Sequence, residues 1–198
     1  MHRKALMVFC KNPILGAVKT RIADSVGAAE ALHIYQALIS RNEALLAEIS
    51  MDIDTFIYYS DFIPELSLGG RKTFSMLQIG VDLGARMANG FVDLCNTYDR
   101  TLVIGVDCPY ITAAHIDQAF EILSSNEVVM GPAADGGYYL LGMRTFYPSL
   151  FEGINWGSEE VAAATRIRIR DLGISIGELE VLSDIDYIED WNRYKQYF

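Results

Sequence analysis

The chain has 198 residues, of which 51% are hydrophobic, and its formal net charge is -10. The apolar content excludes a disordered chain, and the acidic balance excludes a nonspecific nucleic-acid binder, which would need clustered basic residues. The cysteines form no CxxC pair, and the first apolar run ends at Lys11, too early for a signal peptide or a membrane span. We therefore expect one cytoplasmic domain over residues 1–198, with neither membrane nor nucleic acid among its partners.

Hydrophobic periodicity predicts strands that alternate with helices. In chain order it predicts a strand at Ala5–Phe9, a loop at Lys11–Arg21, a helix from about Val26 to Ile49, strands at Thr55–Tyr59 and Thr73–Ile79, and a helix at Leu83–Leu94. It then predicts a strand at Thr101–Val106, a helix at Ile111–Leu123, strands at Glu127–Met130 and Tyr138–Leu141, a helix at Val161–Leu172, a strand at Ile174–Val181 and a helix at Tyr187–Tyr194. The predicted buried face of the long helix comprises Ala28, Leu32, Tyr35, Ile39, Leu46 and Ile49. This alternation predicts an α/β protein with a mainly parallel sheet covered on both faces by helices.

The predicted loop after the first strand is basic. Its polar and flexible residues are Lys11, Gly16, Lys19, Thr20 and Arg21. It is not a P-loop, because Val18 stands where that motif requires glycine. Main-chain N–H groups and paired cations in such a loop can hold phosphates, whereas the structural alternative is a solvated basic turn. In so acidic a chain the clustering favours phosphate binding, with the side chains of Lys19 and Arg21 facing solvent.

The carboxylates of two later loops are candidate metal ligands. Asp107 directly follows the strand Thr101–Val106, so it is predicted at the carboxyl end of a central strand, where ligands bind. Mg²⁺ is commonly held there by one or two carboxylates together with substrate phosphates. The structural alternative is a cap on the helix that Pro109 opens. Asp135 is the second candidate, although Asp-Gly between apolar runs is also a hairpin signal.

Asp82 and Arg86 stand four residues apart at the start of a predicted helix. An ion pair between them is the simple structural explanation, because residues at this spacing are neighbours on a helix surface. The glycines on either side, Gly80 and Gly84, also allow a nucleotide to approach this segment. Nucleotide contact by Asp82 and Arg86 is therefore a second hypothesis for the same residues.

Two segments near the C-terminus have structural explanations. Asp186 and Glu189 precede the last helix in the spacing of a capping box, although Asp184 beside them can reach a site. Ser158 is placed to cap the helix Val161–Leu172. Trp156 belongs to the same helix entry or walls a pocket.

Taken in order, the segments Phe9–Pro13, Val18–Arg21, Gln78–Met87, Gly105–Pro109, Gly131–Leu140, Trp156 and Asp184–Asp186 resemble those of the DUF2064 family. This family belongs to the GT-A, or nucleotide-diphospho-sugar transferase, superfamily. The chain is also similar, more distantly, to the 2-phospholactate guanylyltransferase and molybdenum-cofactor nucleotidyltransferase groups. The resemblance implies a three-layer α/β/α sandwich with a mixed sheet and a nucleotide over the loop of the first strand.

The resemblance also implies roles for particular residues. By this resemblance Lys19 and Arg21 would hold phosphates. Together with the reading of the loops, this makes Asp107, Lys19 and Arg21 the predicted catalytic residues, and Lys11, Gly16, Lys19, Thr20, Arg21, Asp82 and Arg86 the predicted nucleotide-binding residues. Asp107 would take the metal role of the DxD element of the superfamily. Because Val106 and Cys108 flank it here, the second carboxylate is missing, and Asp135 is the candidate that would replace it.

We therefore expect a transferase that requires Mg²⁺ or Mn²⁺ and uses a nucleotide or nucleotide-sugar donor with a small-molecule acceptor. The leading hypothesis is glycosyl transfer from a nucleotide-diphospho-sugar to an acceptor hydroxyl. The first alternative is nucleotidyl transfer from an NTP with release of pyrophosphate, which the basic loop favours. The second alternative is a noncatalytic nucleotide-binding module, which the incomplete DxD element favours. The oligomeric state is left open.

Overall fold

A computed structural model describes residues 3–65 and 73–197. The strands are β1 Lys4–Cys10, β2 Ile53–Tyr59, β3 Thr73–Leu77, β4 Arg100–Gly105, β5 Val128–Pro132, β6 Tyr138–Met143 and β7 Ile176–Glu178. The helices are α1 Thr20–Val26, α2 Ala28–Glu48, α3 Leu83–Cys95, α4 Ala113–Ser125, α5 Val161–Asp171 and α6 Ile188–Tyr194. Short 3₁₀ turns lie at Pro148–Leu150 and Lys195–Tyr197. Within the described ranges, no helix is long and apolar enough to cross a membrane.

The strands form a seven-stranded sheet in the order β3-β2-β1-β4-β6-β5-β7. β6 runs antiparallel to both of its neighbours, whereas the other pairs are parallel. The predicted mainly parallel, mixed sheet is confirmed. Because β4 and β5 point the same way, the connection from β5 to β6 lies at the edge where the parallel strands end. That edge therefore collects the loops after β1, β4 and β5.

Both faces of the sheet are buried under helices. In β1, Leu6 and Val8 pack on one face with the apolar residues of α1, α2 and α4. The alternate residues Met7 and Phe9 pack on the other face with those of α3 and α5. A strand buried on both faces is continuously apolar, which is why β1 and β4 are the clearest strands in the sequence. The result is the predicted three-layer α/β/α arrangement.

The first helical segment differs from its prediction. The predicted loop at Lys11–Arg21 ends at Lys19, and Thr20 and Arg21 belong to α1. Gly27, with a φ of 87°, separates α1 from α2. A helix of seven residues with Ile22 as its buried residue is too short to produce a recognisable period.

The buried face of α2 was also only partly predicted. Tyr35 and Ile39 are buried as expected, whereas the other buried residues are Ala31, Ile34, Leu38, Asn42 and Leu45. The predicted members Ala28, Leu32, Leu46 and Ile49 are only partly buried. The buried face is therefore rotated relative to the predicted one: Ile34 and Leu38 lie at its centre and face the sheet. The apolar residues on either side of this line form the margins of the buried face.

Candidate active site

The candidate site lies at the edge of the sheet where the parallel strands end. The segment after β7 runs beside the end of β5, where the Ala134 amide donates to the Leu182 carbonyl over 2.8 Å. The Ile185 amide then donates to the carbonyl of Asp107, just beyond β4, over 3.0 Å. The predicted strand Ile174–Val181 is shorter in the structure, where β7 covers Ile176–Glu178. The two backbone bonds bring the acidic residues before α6 against Asp107.

Buried polar groups hold the start of the basic loop. The Tyr35 hydroxyl accepts from the Lys11 amide over 2.8 Å and donates to the Lys11 carbonyl over 3.0 Å. Asn12 is 2% exposed, and its side chain donates to the Phe62 carbonyl over 2.9 Å and accepts from the Asp61 amide over 2.9 Å. Because these buried groups are satisfied by partners on α2 and after β2, the loop start is firmly placed.

An ion cluster lies where these segments meet. Lys19 Nζ is 2.6 Å from Asp107 Oδ1 and 3.4 Å from Asp186 Oδ1. Arg21 Nη1 is 3.3 Å from Asp186 Oδ2, and the guanidinium lies 5.6 Å from the centre of the Tyr187 ring. The structure thus brings Lys19, Arg21 and Asp107 together. Lys19 pairs directly with Asp107, and the carboxylate of Asp186 joins Arg21 to Lys19. Their catalytic roles stay a prediction.

Lys19 differs from its prediction in exposure. Its side chain is 6% exposed, so the expectation that it faces solvent is wrong, whereas Arg21, at 57%, is exposed as expected. Burial lowers the pKa of Lys19, but the surrounding carboxylates, Asp107 foremost, outweigh burial and raise that pKa above its ordinary value. Lys19 also has a φ of 47°, in the left-handed region, and is the one described non-glycine residue with a positive φ. A buried cation on a strained backbone is typical of a functional position.

Removing the Lys19 side chain is expected to destabilise the fold more than removing its neighbour. Lys19→Ala leaves the carboxylates of Asp107 and Asp186 facing one another without a cation between them. We expect this to lower the unfolding free energy by about 2 kcal/mol. The loss is smaller than the full penalty for a broken buried pair because the side chain of Asp107 is 46% exposed. Arg21→Ala is the matched control and is expected to change stability by less than about 0.5 kcal/mol. Urea unfolding of both variants at neutral pH, without divalent metal, measures the difference. Equal losses would contradict the buried role of Lys19.

Asp184 is the most perturbed carboxylate of the site. Burial, the largest cause, and the charges of Asp107, Asp135 and Asp186 together raise its pKa to about 7, against the opposing charge of Lys19. Its Oδ1 atom is buried and has no hydrogen-bond partner. A buried carboxylate oxygen without a donor is costly, which makes Asp184 a candidate for contact with a ligand.

A first cavity, of about 410 Å³, opens beside the ion cluster. Its wall includes Phe9, Lys11, Gln78, Arg86, Asp107, Tyr138 and Asp184. Arg86 Nε donates to the Gly80 carbonyl over 3.2 Å, and Nη1 lies 3.4 Å from Gln78 Oε1. Gln78 is fixed in turn, because its Nε2 donates to the Tyr58 carbonyl over 2.8 Å. The guanidinium is therefore oriented on the cavity wall and retains N–H groups for a ligand.

A second cavity, of about 1130 Å³, adjoins the first. Leu83, Tyr138 and Asp184 line both of them. Its other walls come from the β5–β6 connection, the segment before α5 and the segment around α6, and include Arg21, Asp135, Trp156, Glu159, Asp186 and Tyr187. The ion cluster therefore lies at the junction of the two cavities: Asp107 lines the first, Arg21 and Asp186 line the second, and Lys19 pairs with Asp107 and Asp186 but lines neither.

Several predicted residues lie outside both cavities. Gly16 and Thr20 are exposed, and neither lines a cavity wall. Asp82 caps α3, because its side chain accepts from the Ala85 amide over 2.8 Å. Arg86 donates to the Gly80 carbonyl instead. A helix cap therefore replaces the ion pair predicted between Asp82 and Arg86. The nucleotide contacts predicted for Gly16, Thr20 and Asp82 stay predictions.

The structural alternatives for the acidic residues also change. The N-cap of α4 is Thr112, so Asp107 does not cap that helix. Before α6, Asp190 accepts from the Tyr187 amide over 2.9 Å, so the capping box predicted with Glu189 is wrong. Likewise, the N-cap of α5 is Glu160, and Ser158 instead donates to the Asn155 carbonyl.

Asp135 is a turn residue, and its role as a metal ligand stays a prediction. Its Oδ1 accepts from the Gly137 amide over 2.9 Å, as a turn residue does, and its side chain also lines the second cavity. Asp184 was the residue that sequence reasoning undervalued. The sequence feature that indicates Asp184 is an acidic residue between the apolar Leu182 and Ile185, in a segment long enough to return to the sheet.

The donor set suits a hard divalent cation. Asp107 and Asp184 line the same cavity, and the Oδ1 atom of Asp184 lacks a partner. Carboxylate oxygens of this kind suit Mg²⁺ or Mn²⁺. In the part of the chain that is described, however, no three His, Cys, Asp or Glu side chains are arranged to hold a metal ion by themselves. Such a site would therefore need oxygen ligands from the substrate.

Comparison with solved structures finds a relative at high similarity. A protein from Desulfovibrio desulfuricans G20, for which nucleotide-diphospho-sugar transfer has been proposed, is 30% identical, with a TM-score of 0.89 over 100% of this chain and 88% of that chain. The fold is shared at lower identity by CMP:2-keto-3-deoxy-manno-octonic acid synthetase complexed with CTP, at 11% identity and a TM-score of 0.61 over 98% of both chains. It is also shared by the Mycobacterium tuberculosis H37Rv protein Rv0371c in complex with manganese, at 11% identity and a TM-score of 0.53 over 98% of this chain and 100% of that chain.

The comparisons confirm the predicted fold and the assignment to the transferases. No curated protein is significantly similar to the chain in sequence. Residues 50–158 match the DUF2064 family, whose description reads "Uncharacterized protein conserved in bacteria". That range contains the β4 end with Asp107 and the β5–β6 connection with Asp135. The chain belongs to the DUF2064 family.

Proposed function

We propose that the protein is a divalent-metal-dependent transferase that moves a glycosyl group from a nucleotide-diphospho-sugar to an acceptor hydroxyl. The observation that carries the proposal is the pair of adjoining cavities with the ion cluster at their junction, where Asp107 lines one cavity, Arg21 lines the other, and Lys19 pairs with Asp107. A donor whose nucleotide occupies the first cavity would place its diphosphate at that junction. The anomeric carbon of its sugar would then face the second cavity, from which an acceptor could reach it.

The first cavity offers contacts that suit a nucleoside. Phe9 supplies an aromatic surface, and the oriented guanidinium of Arg86 supplies N–H donors for the acceptor atoms of a base or a phosphate. Lys11 lines the same wall. These groups support nucleotide binding without a glycine-rich phosphate loop.

The junction between the cavities suits a diphosphate. Asp107 and Asp184 would hold Mg²⁺ or Mn²⁺, as the manganese complex of a protein with the same fold supports. When bound, the metal ion supplies positive charge that stabilises the leaving diphosphate. Lys19 and Arg21 add their own charges at the same place, where they stabilise the phosphate oxygens as the bond breaks.

The proposed step conserves atoms and charge. The bond between the anomeric carbon and the β-phosphate oxygen breaks, and its electron pair leaves on the nucleoside diphosphate. The acceptor oxygen forms the new bond to the anomeric carbon, and its proton passes to solvent or to a carboxylate of the second cavity. The products are a glycosylated acceptor and a free nucleoside diphosphate.

Nucleotidyl transfer is the second candidate. The observation that favours it is the shared fold of the synthetase complexed with CTP, which matches 98% of this chain. The cations Lys11, Arg21 and Arg86 on the cavity walls would also suit a triphosphate. In that reaction an acceptor oxygen attacks the α-phosphorus, and pyrophosphate leaves.

A panel of NTPs and nucleotide-diphospho-sugars, tested with Mg²⁺, with Mn²⁺ and with a chelator, separates the candidates. We expect metal-dependent release of nucleoside diphosphate from at least one nucleotide-sugar when mixed acceptors are present. Release of pyrophosphate from an NTP would instead establish nucleotidyl transfer. Saturable nucleotide binding with no turnover, indifferent to metal, would establish a noncatalytic binding module. Hydrolysis of the donor without acceptor serves as the blank.

A further inference from the structure

The second cavity has an excess of negative charge. Its acidic side chains are Asp135, Glu159, Asp184, Asp186 and Asp190, and its basic side chains are Arg21 and Arg193. Both arginines are already paired, because Arg21 Nη1 is 3.3 Å from Asp186 Oδ2 and Arg193 Nη2 is 2.7 Å from Asp190 Oδ1. Neither cation is therefore available in full to an anionic ligand.

Aromatic rings form the apolar part of the same wall. Trp156 packs directly over α3, where a Cβ on Gly84 would lie 2.0 Å from its indole nitrogen. Tyr138 meets Trp156 edge to face at 6.5 Å, and Tyr187 is exposed at the other side of the cavity. The absence of a side chain at Gly84 therefore determines how closely the Trp156 ring packs on α3, and with it the space left in the cavity over the ring.

An unpartnered polar group lies in the wall between the two cavities. The Tyr138 hydroxyl is buried and has no hydrogen-bond partner, and the residue lines both cavities. A buried hydroxyl without a partner costs free energy unless a ligand or water completes it. This observation is independent of the acidic residues and points to a polar ligand at the shared wall.

We propose that the second cavity is the acceptor subsite and that it selects neutral, hydroxyl-rich acceptors over phosphorylated or carboxylated ones. The inference rests on the proposed function and narrows its acceptor class. Hydroxyl groups of a sugar donate to carboxylates such as Asp135 and Glu159, while its C–H face packs on Trp156. A phosphate ester meets the same carboxylates as like charges and must lose hydration without gaining a free cation.

The test uses the fluorescence of Trp156 as a local reporter. The chain has two tryptophans, so Trp191→Phe leaves Trp156 as the single emitter. This protein, saturated with a nucleotide that binds, is titrated with glucose, mannose and galactose and with the 6-phosphate of each. We expect each neutral sugar to bind at least ~10-fold more tightly than its phosphate ester, because several like charges face the ester within a few ångströms. Saturation-transfer NMR of the sugars with the wild-type protein repeats the measurement independently of the tryptophan substitution.

A charge-reversed variant tests the cause of the selection. Glu159→Lys is expected to reduce the preference for the neutral sugar by about 3- to 10-fold, whereas Glu121→Lys, on the exposed face of α4 and outside the cavity walls, leaves it unchanged. Equal or tighter binding of the phosphate esters by the wild-type protein would overturn the inference. Absence of any sugar signal while a nucleotide still binds would overturn it and leave the proposed function standing. Failure of every nucleotide to bind would overturn the proposed function itself.

Discussion

Asp107→Asn is expected to lower the rate of transfer by at least ~100-fold while leaving nucleotide binding within about 10-fold of the original protein. Asparagine keeps the size of the side chain and one acceptor oxygen but removes the charge at the junction of the cavities. The loss should therefore appear in kcat more than in KM, because a metal carboxylate acts mainly as charge develops on the leaving diphosphate. Initial rates at saturating donor, over a range of Mg²⁺ and Mn²⁺ concentrations, measure it.

The matched control for this substitution is Asp52→Asn. Asp52 is also a partly exposed aspartate in an ion pair, 3.0 Å from Lys4 Nζ, but it lies at the start of β2, the opposite edge of the sheet. Its replacement is expected to leave kcat unchanged and to cost at most ~1 kcal/mol of stability. A rate for the Asp107 variant within about fivefold of wild type would remove Asp107 from the mechanism.

Asp184→Asn is expected to inactivate the protein and, at alkaline pH, to stabilise it. The folded-state pKa of Asp184 is raised to about 7 from an ordinary 3.8, chiefly by burial. The folded state therefore takes up a proton that the unfolded state has released, so stability falls as pH rises from about 4 to about 7. Above that range the charged, buried carboxylate opposes folding in full. Its neutral replacement by asparagine removes this penalty.

The size of the effect follows from the shift. A change of about three pKa units corresponds to at most ~4 kcal/mol, and we expect the variant to gain about 2 kcal/mol, or roughly 4–8 °C in Tm, at about pH 8. Near pH 4 the two proteins should have the same stability. Thermal unfolding in the presence of a chelator, with Asp117→Asn on the far side of α4 as control, measures the difference. A variant less stable than wild type at alkaline pH would show that Asp184 is a structural residue.

The regular elements could be predicted because their signals are local. β1 and β4 are unbroken apolar runs, since both of their faces are buried, and α3 keeps its helical period over the whole of its length. Helix α1 escaped prediction because it spans seven residues and buries only Ile22. The extent of β7 depended on its partner strand, β5, and not on the residues of the segment itself.

The site could be predicted only in part, for a related reason. Lys19, Arg21 and Asp107 follow clear strands or occupy a charged cluster, so their position at a sheet edge follows from topology. The exposure of Lys19 depends on carboxylates that approach from the far end of the chain, and no spacing rule connects them. Asp184 is held beside the cluster by the backbone bonds of its neighbours, from Ala134 to Leu182 and from Ile185 to Asp107. A single sequence does not encode such bonds as a pattern.

The left-handed backbone of Lys19 sets two contributions to stability against each other at one position. Glycine there would relax the main chain by about 1 kcal/mol, and asparagine would also tolerate the conformation, but either would delete the ammonium between the carboxylates. A laboratory evolution experiment that rewarded heat resistance alone would face opposite pulls here, from backbone relaxation and from charge repulsion. Engineering this enzyme for durability should therefore hold codon 19 fixed and seek its gains on the outer surfaces of the helices.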